Sequence, residues 1–475
     1  MRGKSQKPLR IVGAILGVAV GTAVPLLCPI DGLTFQATCG LGILLGAIIW
    51  WICKVLPEYA TALLMAVLFM VVADVPTASV FSAFTTSTWW LLLAAFGLGL
   101  GMRASGLLKR MALAILKVFP HTYRAQVMGL LAAGTLIGPF VPSMSVKAVM
   151  LAPLSMSISD SLGFARKSKP AEGLFLAMFT GIRNVAPAVV SASIIGYAIL
   201  GLLPADVQAQ FDMVHWFLAM LPWFVVVSVL NYAAIMLLYA PRRGKGAAAP
   251  ADQAAAKGVI QHEDLGPMSA KEKRMAAIMV CCVVLWVSEP LHAIASHIVA
   301  LAALVVTIAC GIFTKDEFKS GISWDSLVFI GVVFGLSDVF AQLGIDEWIV
   351  EMCGPFIQAL AGNPFLFVFG IGAITVLLRF LIVSETPFAN IFMVFMVPMA
   401  LGAGINPWVV GATVYAMVSP WFALYQNIIY LTAYYATEGR MVRQAQMARY
   451  CAVYLCISMA GLMASVPYWQ ALGLF

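Results

Sequence analysis

Apolar runs of about twenty residues recur along the chain, separated by short segments that gather nearly all of its charge. About twenty residues rising ~1.5 Å each cross a ~30 Å hydrocarbon layer, so each run predicts a membrane-spanning helix. The predicted spans are 11–30, 36–53, 59–75, 85–102, 172–200, 216–239, 275–292, 297–313, 324–342, 408–436 and 450–470. Two further apolar stretches, 125–160 and 364–402, are too long for one helix. Each is interrupted midway by proline and small polar residues, Pro142-Ser143-Met144-Ser145 in the first and Ser384-Glu385-Thr386-Pro387 in the second. Irregular backbone at membrane depth survives only where protein or a water-filled cavity satisfies it, so both stretches are read as re-entrant hairpins. The expected fold is an all-α integral membrane protein of about 11 transmembrane helices plus two re-entrant hairpins.

Composition rules out the soluble alternative. Hydrophobic residues make up 62% of the chain and charged residues 10%, with a mean hydropathy of +0.96, far from the even balance of a water-soluble domain. The net charge of +7 reads as topology rather than as a nucleic-acid surface. With a cytoplasmic N-terminus, the inside segments hold Arg2, Lys4, Lys7 and Arg10, then Lys54, then Arg103, Lys109, Arg110, Lys117 and Arg124. They also hold Arg166, Lys167 and Lys169, the basic 241–274 loop, Lys315 and Lys319, and Arg440, Arg443 and Arg449. The outside segments hold acids instead, among them Asp31, Asp74, Asp206, Asp212, Asp346, Glu347 and Glu351. That asymmetry predicts a multi-pass protein of the cell (inner or plasma) membrane, its N-terminus cytoplasmic and its C-terminus outside. The first run lacks a small residue at Leu27-Cys28 for signal cleavage and is read as a retained helix. The nine cysteines lie mostly inside apolar runs and the five histidines form no ligand cluster, so neither zinc nor a disulfide framework is expected. No nucleophile–base pair or phosphate loop has usable spacing, which argues against a membrane enzyme.

The polar 241–274 loop divides the chain. After an N-terminal helix (1–35), a first repeat (36–240) reads as three helices, an inward hairpin (125–160) and two helices. A second repeat (275–475) has the same order, with an outward hairpin at 364–402. Leu91–Leu107, ending Arg103-Ala104-Ser105-Gly106-Leu107, is matched by Leu327–Ile345, ending Ala341-Gln342-Leu343-Gly344-Ile345. An odd number of spans separates the copies, so they are inverted in the membrane. Inverted repeats with discontinuous helices mark secondary transporters, whose site lies at midplane between the repeats.

Several segments then resemble one family, the divalent anion/sodium symporters (solute carrier family 13, with its bacterial citrate, tartrate and succinate carriers). Ser87-Thr88-Trp89-Trp90-Leu91 through Gly106-Leu107-Leu108-Lys109-Arg110-Met111-Ala112 is similar to the family's fourth-helix signature. Trp324-Asp325 through Gly344-Ile345-Asp346-Glu347-Trp348 resembles its second-repeat counterpart, and Pro467-Tyr468-Trp469-Gln470-Ala471-Leu472-Gly473-Leu474 resembles the family's ending. The resemblance implies a homodimer in the lipid bilayer, an elevator-like slide, and a small-anion site at two Ser-Asn-Thr hairpin tips and the broken helices that follow. Here the tips read Ser143-Met144-Ser145 and Ser384-Glu385-Thr386, and the broken helices map to the Asn184–Pro187 region and to Ser419-Pro420 through Gln426-Asn427. A short loop at a helix N-terminus aims free N–H groups and the positive dipole end at an anion, and small hydroxyls add donors.

Both central asparagines are replaced, by Met144 and Glu385, so the sodium coupling of the complete motif does not carry over directly. Sodium near Ser143, Ser145, Ser384 and Thr386, or protons, are the candidate coupling ions, and no other cofactor is expected. Lys147 sits two residues past the first tip, where carboxylate exchangers of the family often carry a basic residue. Lys147, Arg183, Arg379 and Glu385 are the charges placed within the membrane, each costing ~2.5–3.5 kcal/mol if central, so pairing or function is expected of them. Glu385 beside an anion site is expected either to bind a proton or to pair with Lys147 in the empty carrier. The expected function is secondary transport of di- or tricarboxylates by exchange or ion-coupled symport. The rivals are a sulfate-like anion symporter and a cation/proton antiporter or arsenite carrier of related architecture.

Overall fold

The computed structural model describes residues 7–27, 30–241, 266–352, 362–382 and 384–475. Arg2, Lys4, Cys28 and most of the 241–274 loop lie outside the described residues, which contain helices and turns but no strand. After α1 (Lys7–Leu27), the first half contains α2 (Phe35–Cys53), α3 (Glu58–Val71), α4 (Ser87–Ala104) and α5 (Leu107–Val118). It continues with α6 (Tyr123–Ile137), α7 (Met144–Ser161), α8 (Lys169–Ala188), α9 (Ile194–Leu202) and α10 (Met213–Tyr239). The second half contains α11 (Ala270–Val287), α12 (Ser296–Ala309), α13 (Trp324–Phe334), α14 (Leu336–Leu343) and the arms α15 (Pro364–Leu378) and α16 (Glu385–Gly402). It ends with α17 (Pro407–Met417), α18 (Ile428–Ala436) and α19 (Gln444–Ala471).

Local chemistry sets most of these boundaries. Thr34, Thr86, Thr122, Ser143 and Ser168 each accept a backbone N–H of the helix they precede, satisfying one of the donors a helix start leaves open. Gly106, at φ +85°, turns α5 through 69° from α4, and Gly344 adopts the same left-handed backbone after α14. The arms have equal lengths in the two halves, 15 residues for α6 and α15 and 18 for α7 and α16.

Packing repeats across the halves. The arms α6 and α7 both lie on α8, as α15 and α16 both lie on α17. The second segments are exchanged: α18 packs on α7 and α9 packs on α16. Between the halves, α10 packs against α19 and Trp89 Nε1 of α4 donates to Leu327 O of α13 at 3.0 Å. From Ala171 onward every residue of α8 is buried, as is every residue of α17, the pattern of a helix enclosed on all sides. By contrast α1 leaves Ile11, Val12, Ile15 and Leu16 exposed, as a lipid-facing helix requires.

Two predicted spans are broken helices, the second where the family resemblance sets a break and the first just beyond the Asn184–Pro187 region it sets. Residues 172–200 and 408–436 are not continuous helices, because each is opened in the middle, at 189–193 and 418–427. In the first, Pro187 lacks the N–H that would continue the ladder and the chain leaves helix after Ala188; in the second, Pro420 does the same work. Among the described residues, six helices and the bent α4/α5 pair are long and apolar enough to cross a bilayer by length and composition, while α3, α12, α15 and α17 are shorter apolar helices.

The α6/α8 contact is close enough to forbid side chains: a Cβ on Gly134 would stand 2.5 Å from the Gly181 carbonyl carbon. Gly134→Val is expected to cost about 1–3 kcal/mol through overpacking. Thermal unfolding of purified protein should register the loss, whereas Gly370→Ala, inside α15 with open space around it, should not lower the midpoint.

Candidate functional site

The two tips and the two helix breaks meet at one cavity of about 690 Å³. Pro142, Ser143, Met144 and Ser145 line it from the first tip, and Ser384, Glu385 and Thr386 from the second. Ser193, Ile194 and Ile195 come from the start of α9, and Leu424, Tyr425, Ile428 and Ile429 from the start of α18. Thus the first residues of four helices, α7, α9, α16 and α18, converge on one space. Three of these N-termini are capped by their own side chains. Ser143 Oγ accepts from Val146 N at 3.4 Å, Ser193 Oγ from Ile195 N at 3.2 Å, and Asn427 Oδ1 from Ile429 N and Tyr430 N at 3.0 and 2.9 Å. Ser384 makes no such cap for α16.

Opening a helix leaves carbonyls without their amide partners, and two buried cations serve them. Lys147 is fully buried, and its Nζ donates to Ala192 O at 2.7 Å in the first break and to Gly138 O at 3.4 Å at the end of α6. Arg379, also fully buried, caps α15 and donates to Val418 O at 2.5 Å, Gln426 O at 3.1 Å and Ile382 O. Each cation therefore joins an arm to a helix break within its own half. The second half adds an acid. Glu385 Oε1 accepts from Asn427 Nδ2 at 2.7 Å, its Oε2 accepts from Ser419 Oγ at 2.9 Å, and Arg379 Nη2 lies 4.0 Å from Oε1. The expected Lys147–Glu385 pair is corrected accordingly. Lys147 is spent on carbonyls, and Glu385 is held by Asn427, Ser419 and Arg379.

The remaining predicted residues fall outside the cavity wall. Asn184 and Pro187 belong to continuous α8, where Asn184 Oδ1 accepts from Tyr454 Oη at 2.9 Å and Pro187 O from Trp216 Nε1 at 2.9 Å. Gln426 Oε1 accepts from Phe422 N at 3.0 Å, and Pro420 is buried in the second break. Arg183 stacks its guanidinium over Trp421 and Phe179, 5.3 and 5.9 Å from the ring centres, with Nε and Nη1 making no hydrogen bond among the described residues.

Residues absent from the expected site complete the wall: Lys54, Glu58, Ser193, Tyr425 and Tyr435. Tyr435 reads in sequence as an interfacial aromatic, and only the folding of α18 onto α7 turns it to the cavity. Ser193 had a usable signal, since a serine shortly after a helix-ending proline is a natural cap for the next segment. Lys54 and Glu58 had none, lying far from either tip in sequence.

The sequence pattern of the sodium:sulfate symporter transmembrane region matches residues 9–475. A chloroplastic dicarboxylate transporter 2.2 of Arabidopsis thaliana is 26% identical over 410 residues, covering 83% of this chain and 73% of its own. An L-tartrate/succinate antiporter of Escherichia coli is 24% identical over 332 residues, covering 67% of this chain and 65% of its own. In three dimensions the chain resembles the YdaH transporter of Alcanivorax borkumensis, with TM-score 0.59, 15% identity, 91% of this chain and 98% of that one. It also resembles MtrF of Neisseria gonorrhoeae, described as an antimetabolite efflux pump, with TM-score 0.57, 13% identity, 98% and 94%. At such identities these two likenesses speak for the fold alone.

Removing a buried cation while its acceptors stay buried is costly. Arg379→Met strands three carbonyls and Glu385, an expected loss of about 3–5 kcal/mol. The variant should fail to give a monodisperse peak in size-exclusion chromatography of detergent extracts, while Arg379→Lys recovers part of the folded fraction.

Proposed function

The chain belongs to the sodium:sulfate symporter family, and we propose that it exchanges small dicarboxylates across the cell membrane through the cavity between the two tips. The observation that carries this reading is the convergence of four helix N-termini on that cavity. Each N-terminus presents about half a positive charge, so four together offset roughly the two charges of a dianion. The open amides at the start of α16 and the hydroxyls of Ser143, Ser145 and Thr386 supply donors. Ile194, Ile195, Leu424 and Ile428 supply apolar wall for a short carbon chain, which a bare tetrahedral oxyanion would not use. The names of the Arabidopsis and Escherichia coli relatives support the same substrate class.

Sodium fits this site poorly. A sodium ion held at the tips would draw on backbone carbonyls at the breaks, and three of these, Ala192 O, Val418 O and Gln426 O, already accept from Lys147 and Arg379. We therefore assign to these fixed cations the charge that sodium supplies to symporters of the family. Fixed cations cannot be released with the substrate, which favours exchange over uphill symport. The positive-inside orientation puts the Lys54–Glu58 turn on the cytoplasmic side, so the cavity wall reaches the cytoplasm. An elevator-like slide of the arms, α8–α10 and α17–α19 against the other helices would carry the site to the opposite face.

Reconstituted vesicles test the reading. Labelled succinate should exchange for internal succinate with no sodium present, and Ser143→Ala and Thr386→Ala should each lower that exchange about tenfold, one lost hydrogen bond to a charged ligand apiece. Normal exchange in both variants, or a strict sodium requirement in the wild type, contradicts it.

A further inference from the structure

Ser384 and Ser143 occupy equivalent positions, each preceding the second arm of its pair. Ser143 spends its hydroxyl oxygen on capping α7, but Ser384 does not cap α16. Its hydroxyl instead donates to Oε1 of Glu58 at 2.6 Å, a contact between residues 326 apart in sequence. Glu58 is the first residue of α3, a helix packed chiefly on α2 and α13. Neither of those belongs to the arms or to the broken helices. The Ser384–Glu58 bond therefore ties the second tip directly to α3, a helix that otherwise meets the arms only through α13, and it does so on the wall of the cavity.

A serine hydroxyl has one proton to donate. Ser384 can give it to the Glu58 carboxylate or to a carboxylate bound at the tip, but not to both. Glu58 is also an acid facing an anion site, so it has no favourable use for a bound dianion. Lys54, at the other end of the α2–α3 turn and on the same wall, offsets that charge.

We infer that Glu58 is a latch: it holds the second tip through Ser384 while the cavity is empty, and the arriving anion releases it by taking the Ser384 proton into its own hydrogen bond. An empty carrier is thereby tied to the surrounding helices and a loaded one is free to move, which makes transport an exchange. Glu58 acts through Ser384 and is a positioning residue. The inference rests on the reading of the cavity as the anion site.

The experiment compares two fluxes in the same vesicles: release of internal labelled succinate into succinate-free buffer, and release into buffer containing succinate. In the wild type the second should exceed the first by at least about tenfold, the factor expected from one hydrogen bond to a charged group. Glu58→Ala should raise release into succinate-free buffer about tenfold, closing most of the gap between the two. Glu58→Gln, whose amide oxygen still accepts from Ser384, should fall between the two. Glu58→Asp, which is one methylene too short for the contact, should behave like Glu58→Ala and serves if the alanine variant does not fold. A Glu58→Ala or Glu58→Asp protein that exchanges succinate but keeps the wild-type gap overturns the latch. Failure of the substrate reading looks different: Ser143→Ala and Thr386→Ala would then both exchange succinate as fast as the wild type.

Discussion

A helix opened inside a membrane leaves carbonyl oxygens with no amide to meet and no bulk water to replace it. This chain opens two, after α8 and after α17, and sets a tip of paired arms beside each opening. Everything at the centre of the molecule follows from how those carbonyls are satisfied. Lys147 and Arg379, both fully buried, reach from the arms to the openings and donate to the stranded oxygens. A buried cation on its own would be expensive, and so would a buried carbonyl without a donor; each removes the other's penalty. The result is a rigid link between arm and broken helix in each half, which lets the next segment start in a defined direction.

That direction creates the site. Because α9 and α18 restart beyond their openings and are exchanged onto α16 and α7, their N-termini face the same space as the N-termini of the arms. Dipole ends that would repel one another are brought together, an arrangement that an anion between them makes more favourable. Glu385, the one acid at the tips, does not oppose this. Asn427 and Ser419 hold its carboxylate, and Arg379 stands 4.0 Å away, so its charge is largely consumed within the protein. Asn427 does two jobs at once, capping α18 with its oxygen and fixing Glu385 with its nitrogen.

Much of this is readable along the chain. Proline with small hydroxyl residues in the middle of an overlong apolar run marks a tip, and Gly106 and Gly344 mark equivalent turns because both need left-handed backbone. Family likeness located the second helix opening at Ser419–Asn427, but set the first near Asn184–Pro187, about a turn too early. The proline ends the helix only after Ala188, and Ser193 restarts it. Pairing was the harder inference. Lys147 and Glu385 are the charges adjacent to the tips, yet their partners are decided by which opening each arm touches, and that depends on packing within each half. Glu58 carried no signal at all, since its contact with Ser384 exists only when α3 and the second tip are brought together from opposite ends of the sequence.

Lys147 and Arg379 occupy carbonyls at the two openings that would otherwise be open to a sodium ion. The most direct test is the thermal unfolding midpoint of purified protein in choline buffer, measured with added succinate and, separately, with added sodium. A ligand that binds the folded state alone raises its stability as concentration exceeds Kd. The account predicts a rise with succinate that is the same with and without sodium, and no rise with sodium alone at constant ionic strength. A midpoint raised by sodium alone, or a succinate effect that appears only when sodium is present, would contradict it.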